Sequence, residues 1–127
     1  MATIKSYTDL SQSKKLAEIL PLESADMKWS IPADNEGEFI EEVSLIKYKS
    51  EYALFDRITD WNDTPYLPCW SLAKLLDILP KINGLKPILD LEENSIQYTG
   101  IDLYVVADNP VDACVAMIEL LHELKML

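Results

Sequence analysis

KLAEILP, residues 15 to 21, returns almost letter for letter as KLLDILP at residues 74 to 80, an offset of 74 − 15 = 59 positions. The reading of these two copies decides the fold. Each carries leucine and isoleucine at helical spacing and then a proline, which lacks an N–H and whose ring clashes with the preceding turn, so a helix stops there. The repeat therefore describes a shape, a halted helix that hands over to strands, and does not mark a site. Before the first copy, Asp9 followed three residues later by Gln12 has the form of a capping box, and Leu16, Ile19 and Leu20 form an apolar edge. A helix is expected from about Asp9 to Leu20. Before the second, Ser71 is a candidate cap, and Leu72, Leu75, Leu76 and Leu79 at i, i+3, i+4 and i+7 make one apolar stripe closed by Pro80. Tyr7 and Tyr66 take the same place relative to the two copies. Internal duplication thus stays open beside the simpler account, shared helix-stop chemistry.

After the first helix, Met27, Trp29 and Ile31 alternate with Asp26, Lys28 and Ser30, the period of a half-buried strand. Pro32 to Gly37 is a polar turn. FIEEVSLIKY, residues 39 to 48, carries apolar residues on both parities; it is read as a strand, although a helix fits the same letters. SEYALFDRI, residues 50 to 58, is a candidate third strand, and DWNDTPYLP, residues 60 to 68, with two prolines and several turn formers, reads as loop. Beyond the second helix, Asn83-Gly84 is a turn, and PILDLEE and SIQYTGIDLYVV read as strands broken near Asn94-Ser95 and bent at Gly100. Asp108 or Asn109 then caps a last helix with Pro110 just inside it.

That last helix keeps its polar positions, Asp112, Glu119 and Glu123, in one narrow strip. Val111, Cys114, Val115, Met117, Ile118, Leu120, Leu121 and Leu124 occupy most of the remaining circumference, more apolar surface than one sheet would cover. The excess calls for a partner, either another helix of the chain or a second copy, and Met117, Leu120 and Leu124 are the candidate contacts of a homodimer. The expected fold is α+β: an antiparallel sheet of about four to five strands with three helices packed on it, arranged as two helix-strand-strand units plus the C-terminal helix. A length of 127 residues fits a single domain, residues 1 to 127.

Hydrophobic residues make up 49% of the chain and charged residues 26%, a globular composition. With 11 Lys and Arg against 22 Asp and Glu the net charge is −11. Such a field repels phosphate, and no basic run offsets it, so neither nucleic acid nor an anionic membrane is an expected partner. No apolar core of a secretory signal and no run of about 20 apolar residues is present, and a cytoplasmic protein is expected. Two cysteines, Cys69 and Cys114, each in an apolar segment, are expected as free buried thiols.

SKKLAEILPLESADM (13 to 27), PCWSLAKLLDILP (68 to 80) and DNPVDACVAMIELLHEL (108 to 124) resemble three blocks of a group of uncharacterised small proteins of gut Bacteroides genomes and their prophages or mobile elements. The blocks cover about a third of the chain, and the strands between them resemble the group only in pattern. The resemblance implies a bacterial or phage intracellular setting. It transfers no activity, ligand or catalytic residue.

Catalytic constellations are weak. His122 is the only histidine, and Cys114 stands eight residues before it, about 12 Å along one helix, too far for a thiol and its base. Cys69 reaches His122 only through tertiary folding. One His, two distant Cys and scattered carboxylates match no zinc spacing, and three unclustered glycines make no phosphate-cradling loop, so neither metal nor cofactor is expected. Carboxylate pairs such as Asp60 with Asp63 and Glu92 with Glu93 follow from the acidic composition. The aromatic cluster Trp61, Tyr66 and Trp70, with Tyr52 and Phe55 upstream, fits either a recognition surface or a loop pinned to the core by its own rings. The leading expectation is a non-enzymatic accessory or protein-interaction domain. A small enzyme or ligand-binding domain using the loop 61 to 70 is the alternative. A further alternative is an acidic mimic of nucleic acid that binds a basic host protein.

Overall fold

Asp9 opens the first helix as a true capping box: its carboxylate accepts the Gln12 N–H at 2.8 Å, and the Gln12 side chain accepts the Asp9 N–H at 3.1 Å. Two of the orphan donors that every helix start leaves unpaired are thereby satisfied. The computed structural model describes residues 5–30, 42–56, 58–61 and 64–127. Helix α1 spans Leu10–Ile19 and ends on Leu20, whose extended backbone precedes Pro21 and whose N–H donates to Leu16 O at 2.7 Å. The chain divides into two compact units, Asp9–Ser71 and Met1–Thr8 with Leu72–Leu127.

In the first unit, β1 (Met27–Ser30) is the central strand of an antiparallel sheet ordered β2-β1-β3, flanked by β2 (Glu42–Leu45) and β3 (Tyr66–Cys69). The register places Met27 between Leu45 and Cys69, and Trp29 between Val43 and Leu67. Leu67 and Cys69 are fully buried, and α1 packs on β3 with Leu16 also fully buried. Met27 and Trp29, the described part of the expected apolar parity, thus share the face that carries the core. Ile31, the turn from Pro32 to Gly37, Phe39 and Ile40 lie outside the described residues, as does Asp63.

Two expectations here are corrected. The described residues of the 50 to 58 stretch form no strand: Lys49–Leu54 is a 3-10 helix. Its first turn is closed by Glu51, whose carboxylate reaches back to accept the N–H groups of Lys47 (2.7 Å) and Tyr48 (2.9 Å). Conversely, the end of the expected loop is β3, with Pro68 inside it. A proline lacks a ladder donor, and it is tolerated here because β3 is an edge strand with β1 on one side only.

The second unit begins with α2 (Leu72–Ile78). Leu75 and Leu79 of its stripe are fully buried, while Leu72 and Leu76 are half-buried. After Pro80 the chain reverses at Asn83-Gly84, both at positive φ (54° and 78°), with Ile82 and Leu85 exchanging two backbone bonds across the turn. That geometry is the mirror-image turn for which Asn-Gly is the preferred pair. Strands β4 (Ile88–Asp90), β5 (Ser95–Tyr98) and β6 (Leu103–Val106) follow as an antiparallel meander. Its turns use Asn94 (φ 56°) and Gly100 (φ 84°), so the expected bend at Gly100 is a full chain reversal.

Helix α3 (Pro110–Glu123) is capped by Asn109, whose side chain accepts the Asp112 N–H at 2.9 Å, with Pro110 at its first position. It packs against α2, β5 and β6. The class is α+β as expected, and the described strands number six, divided between two three-stranded antiparallel sheets.

Candidate functional site

The aromatic segment of the first unit is organised from its buried end outward. Trp70 is wholly inaccessible, and its indole N–H donates to Ser24 Oγ at 3.0 Å. Ser24 Oγ in turn donates to Pro21 O at 2.5 Å. Beside it the Asp26 carboxylate accepts both the Ser71 N–H (2.9 Å) and the Ser71 hydroxyl (2.5 Å). Trp70 is therefore a rivet between the exit of α1 and the end of β3, and it is not available to a ligand. Phe55 is equally buried, with Tyr52 and Trp61 edge-on to it at centroid distances of 6.3 and 6.4 Å. Tyr52 donates its hydroxyl to Ala25 O at 2.6 Å. Of the three residues expected at a recognition surface, only Trp61 and Tyr66 keep partial exposure.

Tyr66 lines an open cleft of about 780 Å³ together with Leu54, Asp56, Ile58, Asp60 and Thr64. Thr64 shapes it locally, donating its hydroxyl to Tyr66 O at 2.7 Å and accepting the Tyr66 N–H at 3.2 Å. The Lys28 ammonium lies 5.9 Å from the Tyr66 ring centroid and pairs with Glu51 Oε1 at 2.6 Å. The Lys28 hydrogen bond, reinforced by the backbone donors of Tyr48 and Lys47, holds the Glu51 carboxyl down to about 2. The cleft thus sets one aromatic ring, Tyr66, beside the carboxylates of Asp56 and Asp60, groups that can hold an amine-bearing molecule.

The groups a nucleophilic mechanism would need sit elsewhere. Cys69 and Cys114 are free and buried, and burial pushes the Cys114 thiol up to about 12, so it stays protonated at neutral pH. His122 is exposed in the last turn of α3. Among the described residues no three His, Cys, Asp or Glu side chains are grouped to hold a metal ion. Glu92 and Glu93 are exposed in the β4–β5 turn, their N–H groups donating to the Asp90 carboxylate at 2.9 and 3.2 Å. Among the described residues no helix is long and apolar enough to cross a membrane.

On α3 the three residues expected at a dimer contact part company. Met117 is fully buried within the chain, Leu120 is half-buried, and Leu124 is 50% exposed beyond the helix end. The same-chain elements α2, β5 and β6 cover part of the girth of α3.

A different surface was missed. In β4-β5-β6 the register sets Ile88, Gln97 and Tyr104 in one row and Asp90, Ser95 and Val106 in the next, all on one face of the sheet. The other face carries buried Ile96 and Tyr98 and meets α3. Ile88 (61%), Tyr104 (47%) and Val106 (53%) are left in water. The signal was in LYVV, residues 103 to 106, where both parities are apolar although an antiparallel sheet with one covered face needs only one. Compared with family models, with curated proteins and with solved structures, the chain matches none of them.

Proposed function

We propose that the protein is a non-enzymatic accessory domain that acts by binding another protein, in the bacterial or phage intracellular setting that its sequence blocks suggest. The observation that carries the reading is the outer face of β4-β5-β6, where Ile88, Tyr104 and Val106 stand exposed beside Asp90 and Gln97, with Ser95 buried between them, while both thiols lie buried. Exposed apolar side chains grouped on one face mark interaction sites more often than chance placement does. The test is affinity capture from bacterial lysate with the purified chain at low and high salt, followed by mass spectrometry. A discrete partner retained in near-stoichiometric amount is expected. Background proteins alone, at both salt concentrations, overturn the reading.

A second reading rests on the cleft beside Tyr66, whose volume of about 780 Å³ is that of a small-molecule site. A ligand selective for the folded state raises the melting temperature. A thermal-shift screen of amine-bearing metabolites in which one compound stabilises the chain, and loses that effect with Tyr66→Ala, would favour this second reading.

A further inference from the structure

The open face of β4-β5-β6 differs from the rest of the surface in both shape and charge. Its two rows lie on three adjacent strands, and neighbouring strands are about 4.8 Å apart with about 3.3 Å per residue, so the platform covers on the order of 200 Å². A standard interface between two folded proteins needs about 800 Å² from each. A platform of that size matches instead one helix, about 10–12 Å across, for two to three turns. Helix on sheet is also the packing already used by the opposite face, against α3.

Charge narrows the occupant further. From Ile88 to Asn109 the chain has five carboxylates (Asp90, Glu92, Glu93, Asp102 and Asp108), all exposed, and no Lys, Arg or His. Asp90, Glu92, Glu93 and Asp108 lie at the end where the β4–β5 turn meets the end of β6, and Asp102 lies in the opposite turn. The nearest cation in sequence, Lys86, spends its ammonium on the carbonyls of Leu76, Asp77 and Leu79 that end α2 (3.2, 2.9 and 2.5 Å). Two copies meeting through this face would bring together ten carboxylates, twice the five of one chain, with no counter-charge. We infer that this face docks an amphipathic helix of a basic protein, its apolar stripe on Ile88, Tyr104 and Val106 and its Lys or Arg side chains over the acidic rim. The inference rests on the interaction-domain reading and specifies the partner.

The test is an amide NMR titration of the labelled full chain with a synthetic 14-residue peptide of Leu and Lys patterned as an amphipathic helix. Two control peptides accompany it, one of the same composition scrambled to abolish the stripe and one with Glu in place of Lys. Shifts centred on Ile88, Gln97, Tyr104 and Val106 are expected, with binding about tenfold tighter than for the scrambled peptide. Raising the salt from low to high should weaken it by about tenfold as the rim charges are screened. Tyr104→Thr with Val106→Thr, which puts strand-favouring β-branched residues at both positions, should lower affinity by about tenfold with peak dispersion unchanged. Shifts centred elsewhere, or equal binding of the scrambled or Glu peptide, overturn the inference. Should the double variant not fold, the map on the unmodified chain decides alone. A protein captured from lysate that leaves these four residues unshifted overturns the docking assignment and leaves the interaction reading standing.

Discussion

In the first unit the carbonyl of Pro21 is held through a relay, accepting Ser24 Oγ, which itself receives the Trp70 indole N–H. In the second, the carbonyl of Pro80 is held directly by the Tyr98 hydroxyl at 2.7 Å. The same seven-residue motif thus ends two helices in the same way and is tied to two sheets by different chemistry. The sheets differ as well: β2-β1-β3 has its first strand in the centre, whereas β4-β5-β6 is a simple meander. Equivalence between the units therefore extends over the helices and stops at Pro21 and Pro80. Helix termination is local, written in the leucines and the proline; the choice of sheet partner is made by residues tens of positions away.

The largest loss of stability is expected on removing the paired leucines. Leu16 and Leu75 occupy the same place in the motif, and both are fully buried. Leu16→Ala and Leu75→Ala should each cost about 2–5 kcal/mol in chemical denaturation, the range for emptying a packed leucine site. A loss below about 0.5 kcal/mol for either, a surface value, would show that the two helices are not equivalent in packing.

The anchors should separate where the helices agree. Tyr98→Phe removes the partner of Pro80 O from a fully buried ring and should cost about 1–3 kcal/mol. Ser24→Ala should cost more, about 2–4 kcal/mol, because Pro21 O keeps the Ser24 N–H at 3.0 Å but the indole N–H of wholly inaccessible Trp70 loses its Ser24 acceptor. Equal costs would mean that losing the link to Trp70 adds nothing, and the distinction between the anchors would vanish.

Features governed by neighbours within four residues were readable in advance. The Asp9 capping box, the leucine stripe of α2, the Asn83-Gly84 reversal and the Asn109 cap with Pro110 behind it are all of this kind. Those that failed depend on distant partners. Whether the stretch around Glu51 coils or extends is decided in part by Lys28, 23 positions away, which pairs with that carboxylate. Pro68 argued against a strand because its edge position is set by pairing with β1. For Trp70 the letters fit either a recognition surface or a ring pinned to the core, and its burial selects the second; Met117, a candidate contact from the girth of the last helix, is also buried. The apolar face of β4-β5-β6 escaped for a related reason: Ile88, Tyr104 and Val106 form a patch only once three strands are in register.

The smallest effect is expected on acid titration of the Lys28–Glu51 pair, which is still touched by solvent (16% and 19% side-chain exposure). Glu51 belongs to the first unit, and its folded pKa of about 2 lies below the ordinary 4.5. A depressed carboxyl pKa means that the unfolded chain takes up a proton first, so the stabilisation is complete above about 4.5 and is lost as the pH falls from there towards 2. All three tryptophans, Trp29, Trp61 and Trp70, lie in the same unit, so indole fluorescence follows it selectively. Urea midpoints read by fluorescence should fall over that interval, and Glu51→Gln, which cannot titrate, should flatten the fall while lowering the midpoint at neutral pH. A Glu51→Gln chain whose acid limb matches the unmodified protein would show that another carboxylate governs the first unit, and the turn at Lys49–Leu54 would then owe its stability to the Tyr52 and Phe55 contacts instead.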